Sequence, residues 1–364
     1  MNDPDNKDGP LFDFLVYTAL ETDGAVGDPN IRFVEHGNQA AAVKRQKRVG
    51  RMKKSILLCG GNSFAAKGLA DALRADGHEV TEFDNGNIGT AGDKVYGPVM
   101  QMGKNPHLKE NYDVLINYIL LKDKGISDNI EYMRSLLRYC KQAGIAHLVH
   151  ISSVSIFKAF EKNIHEESAV ERNPDRLGPY AAQKLATEND LVEMIPDDIN
   201  LTLIRPGFII GDGLHDPIIA AGFRAPLNSL LVFGNASSFI PLIARETLNK
   251  GIVKIVNEPP IGIERLVMVS KSSPTKKEYL KACNELLNDG KRTLYVPAVV
   301  WLSAGLTGEV VARIVGKKDK KVLAKIAEVS FKKRFDASKT EQRVGFTFDL
   351  DWRSALKDSF RSDD

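Results

Sequence analysis

From residue 54 onward, apolar positions follow two alternating rhythms. Short apolar runs at Ser55–Cys59, 79–84, 113–118, 147–152 and 201–205 have the length and composition of strands. Between them, 65–75, 130–143 and 180–194 carry helical spacing, with Ile130, Met133, Leu137 and Cys140 on one stripe of the second. Strand and helix in alternation predict parallel pairing with helices on both faces, an α/β fold with a doubly wound sheet. The pattern is less regular after residue 207. There, 261–269 predicts one more strand returning to the sheet, and 275–287 a surface helix.

The ends of the chain differ from this middle. Residues 1–51 hold a short apolar run (11–19), then Gly/Asp/Pro-rich text, then a basic stretch from Lys44 to Lys54. A nucleic-acid or targeting patch is one reading, and a solvated linker is preferred. Met52-Lys-Lys before a strand would also make a natural start, leaving 1–51 as an appendage of unassigned role. Residues 296–315 are mostly apolar but interrupted by Pro297, Gly305 and Gly308, and Lys317-Lys-Asp-Lys-Lys follows. Lysines beside an apolar segment can meet anionic headgroups at a membrane surface. Helices lining a smaller C-terminal lobe, with an exposed basic end, are the preferred reading. The expected division is 1–51, 52–206 and 207–364.

Composition narrows the class. The chain has 364 residues, 43% hydrophobic and 27% charged, with a net charge of +3, which calls for no nucleic-acid partner. Three cysteines without paired spacing argue against a disulfide framework and for a reducing, cytoplasmic setting. No uninterrupted apolar stretch of about 18 residues predicts a spanning helix. The opening MNDPDNKDGP lacks the basic start and apolar centre of a secretory signal.

The first strand runs straight into Gly60-Gly61-Asn62-Ser63-Phe64-Ala65-Ala66. A glycine-rich turn between strand and helix lets backbone amides approach a pyrophosphate at the positive helix end. The full spacing wants glycine near 60, 63 and 66, whereas this chain has Gly60, Ser63 and Ala66. Alanine is tolerated at the third place, and serine at the second is a real departure. Asp84 ends the next strand, 24 residues after Gly60, where a carboxylate accepts bonds from ribose hydroxyls and repels a 2′-phosphate. Asn85-Gly-Asn follows with no arginine, so NAD is favoured over NADP.

Tyr180 and Lys184, four apart on one helical stretch, form the candidate catalytic pair. The ammonium is expected to lower the phenol pKa from about 10 toward neutrality, fitting Tyr180 to exchange a proton with a carbinol during hydride transfer. Tyr118 and Lys122 share the spacing, but Tyr118 ends a predicted strand, so that pair lacks a common helical face. Upstream, His150-Ile-Ser152-Ser153-Val-Ser155 offers three hydroxyls at a strand end.

Taken in order, these segments resemble the extended short-chain dehydrogenase/reductases, in their NAD-dependent epimerase/dehydratase branch. The resemblance covers about Met52 to the C-terminus. Ser152-Ser153-Val-Ser-Ile156-Phe157 resembles the serine strand, making Ser153 the active hydroxyl. Pro179-Tyr180-Ala-Ala-Gln-Lys184-Leu-Ala-Thr-Glu188 resembles the catalytic helix, and Leu203-Ile-Arg205-Pro206-Gly207 the strand closing the nicotinamide pocket. Asn129 matches an asparagine that braces the site, and 334–346 resembles the closing segment. Asn117-Tyr118-Ile119 departs from the usual His-Ala-Ala, and no acid stands near Tyr96–Met100 where one would face the adenine.

The resemblance implies a Rossmann-type sheet with a smaller C-terminal substrate-binding lobe. The implied catalytic residues are Ser153, Tyr180 and Lys184. The implied cofactor-binding residues are Gly60, Asn62, Ser63, Phe64, Asp84, Asn85 and Asn117, joined by Tyr180 and Lys184, and no metal is called for. It implies hydride transfer at a carbinol or ketone, with a nucleotide sugar as small-molecule substrate. Val154 and Ser155 replace the acid/base pair that a dehydratase needs, which leaves an epimerase or a reductase. The lobe includes a rather apolar 211–243 region and offers few basic groups for a diphosphate, chiefly Arg224 and Arg245, so a hydrophobic alcohol or ketone is the alternative substrate. A non-catalytic dinucleotide sensor is a third reading. The resemblance also implies a homodimer through 130–143 and 180–194.

Overall fold

The computed structural model describes residues 52–158, 161–174, 177–214, 216–225, 229–233, 235–287, 292–296, 333–349 and 351–360. The N-terminal extension, the 297–315 part of the apolar stretch and the lysine cluster after it lie outside the described residues.

Along the chain the strands are β1 Ser55–Cys59, β2 Glu79–Asn85, β3 Gly89–Ala91, β4 Lys94–Gly97, β5 Val114–Asn117, β6 His147–Ile151, β7 Asn163–Ile164 and β8 Asn200–Pro206. They continue as β9 Phe208–Ile210, β10 Phe223–Ala225, β11 Ser229–Phe233, β12 Leu242–Ala244, β13 Ile263–Met268, β14 Arg292–Val296 and β15 Arg334–Phe335. The α-helices are α1 Leu69–Ala75, α2 Ile126–Gln142, α3 Pro179–Met194, α4 Arg245–Asn257, α5 Lys276–Leu287, α6 Ser338–Val344 and α7 Trp352–Ser359.

Eight strands form the main sheet in the order β13-β8-β6-β5-β1-β2-β4-β3, parallel except for β3. β1 pairs with β2 on one side and β5 on the other, so the connections diverge between β1 and β5. Open α/β sheets bind ligands at the carboxyl ends of the strands beside such a switch point. The doubly wound sheet is therefore as expected from the alternating pattern. The predicted return strand is β13, paired to β8 from Ile263↔Leu201 to Met268↔Pro206.

Both faces of the sheet are covered, which explains strands apolar on both sides. Ile56, Leu58, Val114 and Ile116 pack with Leu69 and Leu73 of α1 and Leu248, Ile252 and Ile255 of α4. Leu57, Leu115, Leu148 and Leu203 pack with Tyr132, Met133 and Leu136 of α2 and Leu191 of α3. A third cluster joins Ile210, Ile218, Leu230, Val232, Leu242, Tyr279 and Leu356 into a C-terminal lobe. The chain beyond 207 thus serves two layers, since α4, β13 and α6 return to the main sheet.

One predicted helix is two pieces. In place of a single helix over 65–75, a 3-10 turn at Phe64–Ala66 is followed by α1 from Leu69. Gly68 between them has φ 79°, a left-handed conformation that glycine adopts without penalty. Of the two helices expected to face a partner copy, α3 is buried over 181–188, and α2 turns charged Glu131, Arg134 and Arg138 outward. Among the described residues, no helix is long and apolar enough to cross a membrane.

Candidate active site

The turn after β1 is built around Gly60. Its φ is 85°, and a Cβ there would lie 3.1 Å from both Tyr118 Cβ and Ile119 Cγ1, so glycine is required twice over. Ser63 donates to the Gly60 carbonyl through its backbone N–H at 3.1 Å and its hydroxyl at 2.8 Å. The serine that replaces glycine therefore closes the turn itself. Asn62 N–H donates to Asp84 Oδ2 at 3.1 Å, and Lys94 Nζ donates to Asn62 Oδ1 at 2.7 Å. Asp84 is thus docked on the turn, and its burial raises its carboxyl pKa. Asn85 is exposed at the end of β2. Tyr118 packs beside Gly60, and its buried hydroxyl has no hydrogen-bond partner among the described residues.

The catalytic candidates converge at the carboxyl end of β6. Ser153 follows that strand and caps a short 3-10 turn, its Oγ accepting from Ser155 N–H at 3.1 Å. The Ser155 hydroxyl lies 2.9 Å from the same oxygen. With those acceptor sites used, the Ser153 proton is free to turn toward the Tyr180 oxygen, an influence that lowers the phenol pKa. Pro179 opens α3 with its fixed φ, placing Tyr180 in the first turn and Lys184 one turn on. Lys184 is buried, donates from Nζ to the Ile151 carbonyl at 2.6 Å, and stands 6.0 Å from the Tyr180 ring centroid.

The surroundings of Tyr180 do not give the expected drop in its pKa. Burial raises it, and the Ser153 hydrogen bond offsets only part of that rise. Lys184 is itself desolvated, which pulls its ammonium down to about 8, and the charge of Lys122 pushes in the same direction. The Tyr118/Lys122 pair does lack a shared helix, since Tyr118 follows β5 and α2 begins only at Ile126. Lys122 nonetheless belongs to the electrostatic surroundings of the site, which its spacing alone did not indicate.

Three supports were only partly legible in the sequence. Asn117 was a cofactor candidate, yet its side chain turns into the core. Its Oδ1 accepts from Tyr132 Oη at 2.9 Å and Ile119 N–H at 3.1 Å, and its Nδ2 meets His150 Nδ1 at 3.1 Å. Asn129 does brace a loop: it accepts from Leu121 N–H at 2.9 Å and donates to the Leu121 and Gly125 carbonyls. Glu188 and Arg205 form a buried ion pair that ties the catalytic helix to β8, with the guanidinium 5.0 Å from the Phe157 ring. A buried charge must be paired, so a glutamate one turn past Lys184 was the available signal.

Gly207 shows why glycine follows Pro206. A Cβ there would overlap the Pro241 carbonyl oxygen, because β9 starts against the 241 loop, with Phe208 N–H donating to Pro241 O at 2.6 Å. Of the two diphosphate candidates, Arg245 is directed at the turn, its guanidinium 5.0 Å from the Phe64 ring. Arg224 lies in β10, and its side chain is outside the described residues. The main described cleft runs elsewhere, along the outer edge of β13 between 166–170 and α6.

A glycine turn at the switch point, a docked acid on the second strand and a Ser–Tyr–Lys cluster on the far side define a nicotinamide-dependent α/β enzyme. The model of the NAD dependent epimerase/dehydratase family matches residues 56–235, so that stretch of the chain carries the domain of that family. An N-acetyl-α-D-glucosaminyl-diphospho-ditrans,octacis-undecaprenol 4-epimerase of Escherichia coli O157:H7 is 19% identical over 305 residues, covering 79% of this chain and 89% of the relative. The structure of MoeE5 in complex with UDP-glucose and NAD aligns with TM-score 0.61 at 18% identity, covering 83% of this chain and 96% of that one. UDP-glucose 4-epimerase from Bifidobacterium longum in complex with NAD+ and UDP aligns with TM-score 0.57 at 17% identity, covering 83% and 97%. At these identities the structural likeness is one of fold.

Proposed function

We propose that this chain is an NAD-dependent epimerase or reductase of a nucleotide sugar, transferring hydride at a ring carbinol or ketone. The observation that carries the reading is the buried Lys184 ammonium 6.0 Å from the Tyr180 ring on one helix, anchored to the carbonyl that ends β6 just before Ser153.

The turn supports the dinucleotide reading. Gly60 leaves no room for a Cβ, Asp84 accepts from the Asn62 amide of the turn, and the buried Tyr118 hydroxyl is without a hydrogen-bond partner among the described residues. Gly60, Asn62, Ser63 and Phe64 would hold the pyrophosphate, Asp84 and Asn85 the adenosine ribose, and Tyr180 and Lys184 the nicotinamide ribose. NAD supplies the hydride acceptor when bound. Tyr180 takes the carbinol proton as hydride leaves the same carbon, and returns it when hydride comes back to the ketone. Ser153 donates to the oxygen on which charge changes, and Lys184 favours the phenolate while it carries its proton. Val154 is buried and the Ser155 hydroxyl is engaged by Ser153, so neither supplies the second acid or base of a dehydratase.

A hydrophobic alcohol or ketone is the second reading, favoured by Arg245 facing the turn and so not standing free for a substrate diphosphate. A panel of UDP-sugars and apolar ketones with NAD separates the two by turnover. Tyr180→Phe is expected to cut kcat by at least about a hundredfold, the scale of general acid–base catalysis, while NAD binding is retained. Unchanged turnover would remove the catalytic assignment, and a chain that binds NAD without turnover on any substrate would point to the sensor.

A further inference from the structure

The dinucleotide turn of this chain is followed by a broken helix in place of a continuous one. Ser63 and Ala66 stand where glycines are expected, and the helix that should follow is interrupted after three residues by Lys67-Gly68. A three-residue 3-10 turn cannot fix its own orientation as a continuous helix would, and its last carbonyls need outside partners. For the Lys67 carbonyl that partner comes from α4, distant in sequence. Asn249 Nδ2 donates to the Lys67 carbonyl at 3.0 Å, at the interruption itself. Arg245, one turn earlier on α4, is buried with its guanidinium 5.0 Å from the Phe64 ring and donates from Nη1 to the Asp212 carbonyl at 2.5 Å. Lys67 Nζ closes the loop on Asp212 Oδ2 at 2.7 Å. α4 starts directly after β12, and β12 pairs with β9, the first strand after Gly207.

We propose that Asn249 and Arg245 are positioning residues for the cofactor turn, so that the C-terminal lobe, through α4 and Asp212, sets how tightly the dinucleotide is held. The inference rests on the reading above that this turn receives the pyrophosphate. Phe64 and Lys67 bracket the 3-10 segment that would receive that group, and pinning both preorganises it. Because β9 and β12 link α4 to the lobe, a substrate that settles the lobe also tightens the cofactor site, and the coupling is reciprocal.

The test uses the full chain, with NAD and ADP-ribose as ligands in calorimetry. Asn249→Leu, which keeps the volume and loses the donor, and Asp212→Asn, which lies at the surface, are each expected to raise Kd for both ligands about tenfold, the worth of one hydrogen bond. The loss is expected in KM for NAD rather than in kcat. A purely structural role would lower the Tm of the ligand-free variants and leave Kd unchanged, and that result overturns the proposal. Wild-type protein that binds neither ligand overturns both this inference and the functional reading. Wild-type binding with unaltered variants overturns this inference alone.

Discussion

Lys184 is asked to be charged in a place that disfavours charge. Burial lowers its pKa to about 8, whereas the unfolded chain would hold the proton to about 10.4. Below pH 8 both states are protonated and the folded state bears the full desolvation cost. Between about pH 8 and 10.4 the folded state sheds the proton first, so this group's contribution to stability improves as pH rises. Lys184→Met removes the cost along with the chemistry. Its Tm relative to wild type is expected to be highest at pH 7 and to fall steadily toward pH 10.4, read by thermal melts across that range. A difference independent of pH would mean that the ammonium is not desolvated. The Tyr–Lys spacing was legible in the sequence because it is a local property of one helix. The phenol's own pKa was not, because it depends on what the fold packs around the ring and on the proton that Ser155 leaves Ser153 free to donate.

At the level of elements, α3, which carries the proposed catalytic pair, is held by contacts distant in sequence. Glu188 of α3 pairs with Arg205 of β8, and Lys184 reaches the carbonyl that ends β6. Gly207 performs the same service for the lobe by letting β9 lie against the 241 loop. Gly207→Ala is expected to cost about 2 kcal/mol or more, since the colliding atom is backbone and cannot swing aside. Urea unfolding checks this, and a loss below about 0.5 kcal/mol would show that the 241 loop yields. Elements with strong periodicity, α2 and α3, were readable to within a few residues. The interruption at Lys67-Gly68 was not, because Ala65 to Ala75 keeps helical spacing and only the contact from Asn249 reveals the break. Short strands such as β3 and β4, polar and at the sheet edge, carry little apolar signal.

At the scale of the whole molecule, buried histidines shape the acid limit. His147, bonded through Nε2 to Thr202 Oγ1 at 2.9 Å, has its pKa pulled down to about 3 by desolvation and by the charges of Lys54 and Arg343. His150 is lowered too, by burial and by Lys184. As pH falls below about 6.5 the unfolded chain takes up protons that the folded protein refuses, so stability drops toward pH 3. The Tm is expected to decline over that window, and His147→Gln is expected to flatten part of the slope. A variant with the wild-type slope would acquit this histidine.

The sequence by itself determined the sheet, its helical covers and the order of turn, serine strand and Tyr180–Lys184 helix. Periodicity and short motifs are local, and burial on both faces of a parallel sheet writes them plainly. Only the tertiary structure decided the state of the site. It turned Asn117 into the core, aimed Arg245 at the turn instead of leaving it free for a diphosphate, brought Lys122 near Lys184, and made Asn249 the keeper of a broken helix. Those outcomes depend on groups up to 182 residues apart along the chain, and on the desolvation that their meeting imposes, which no local pattern encodes.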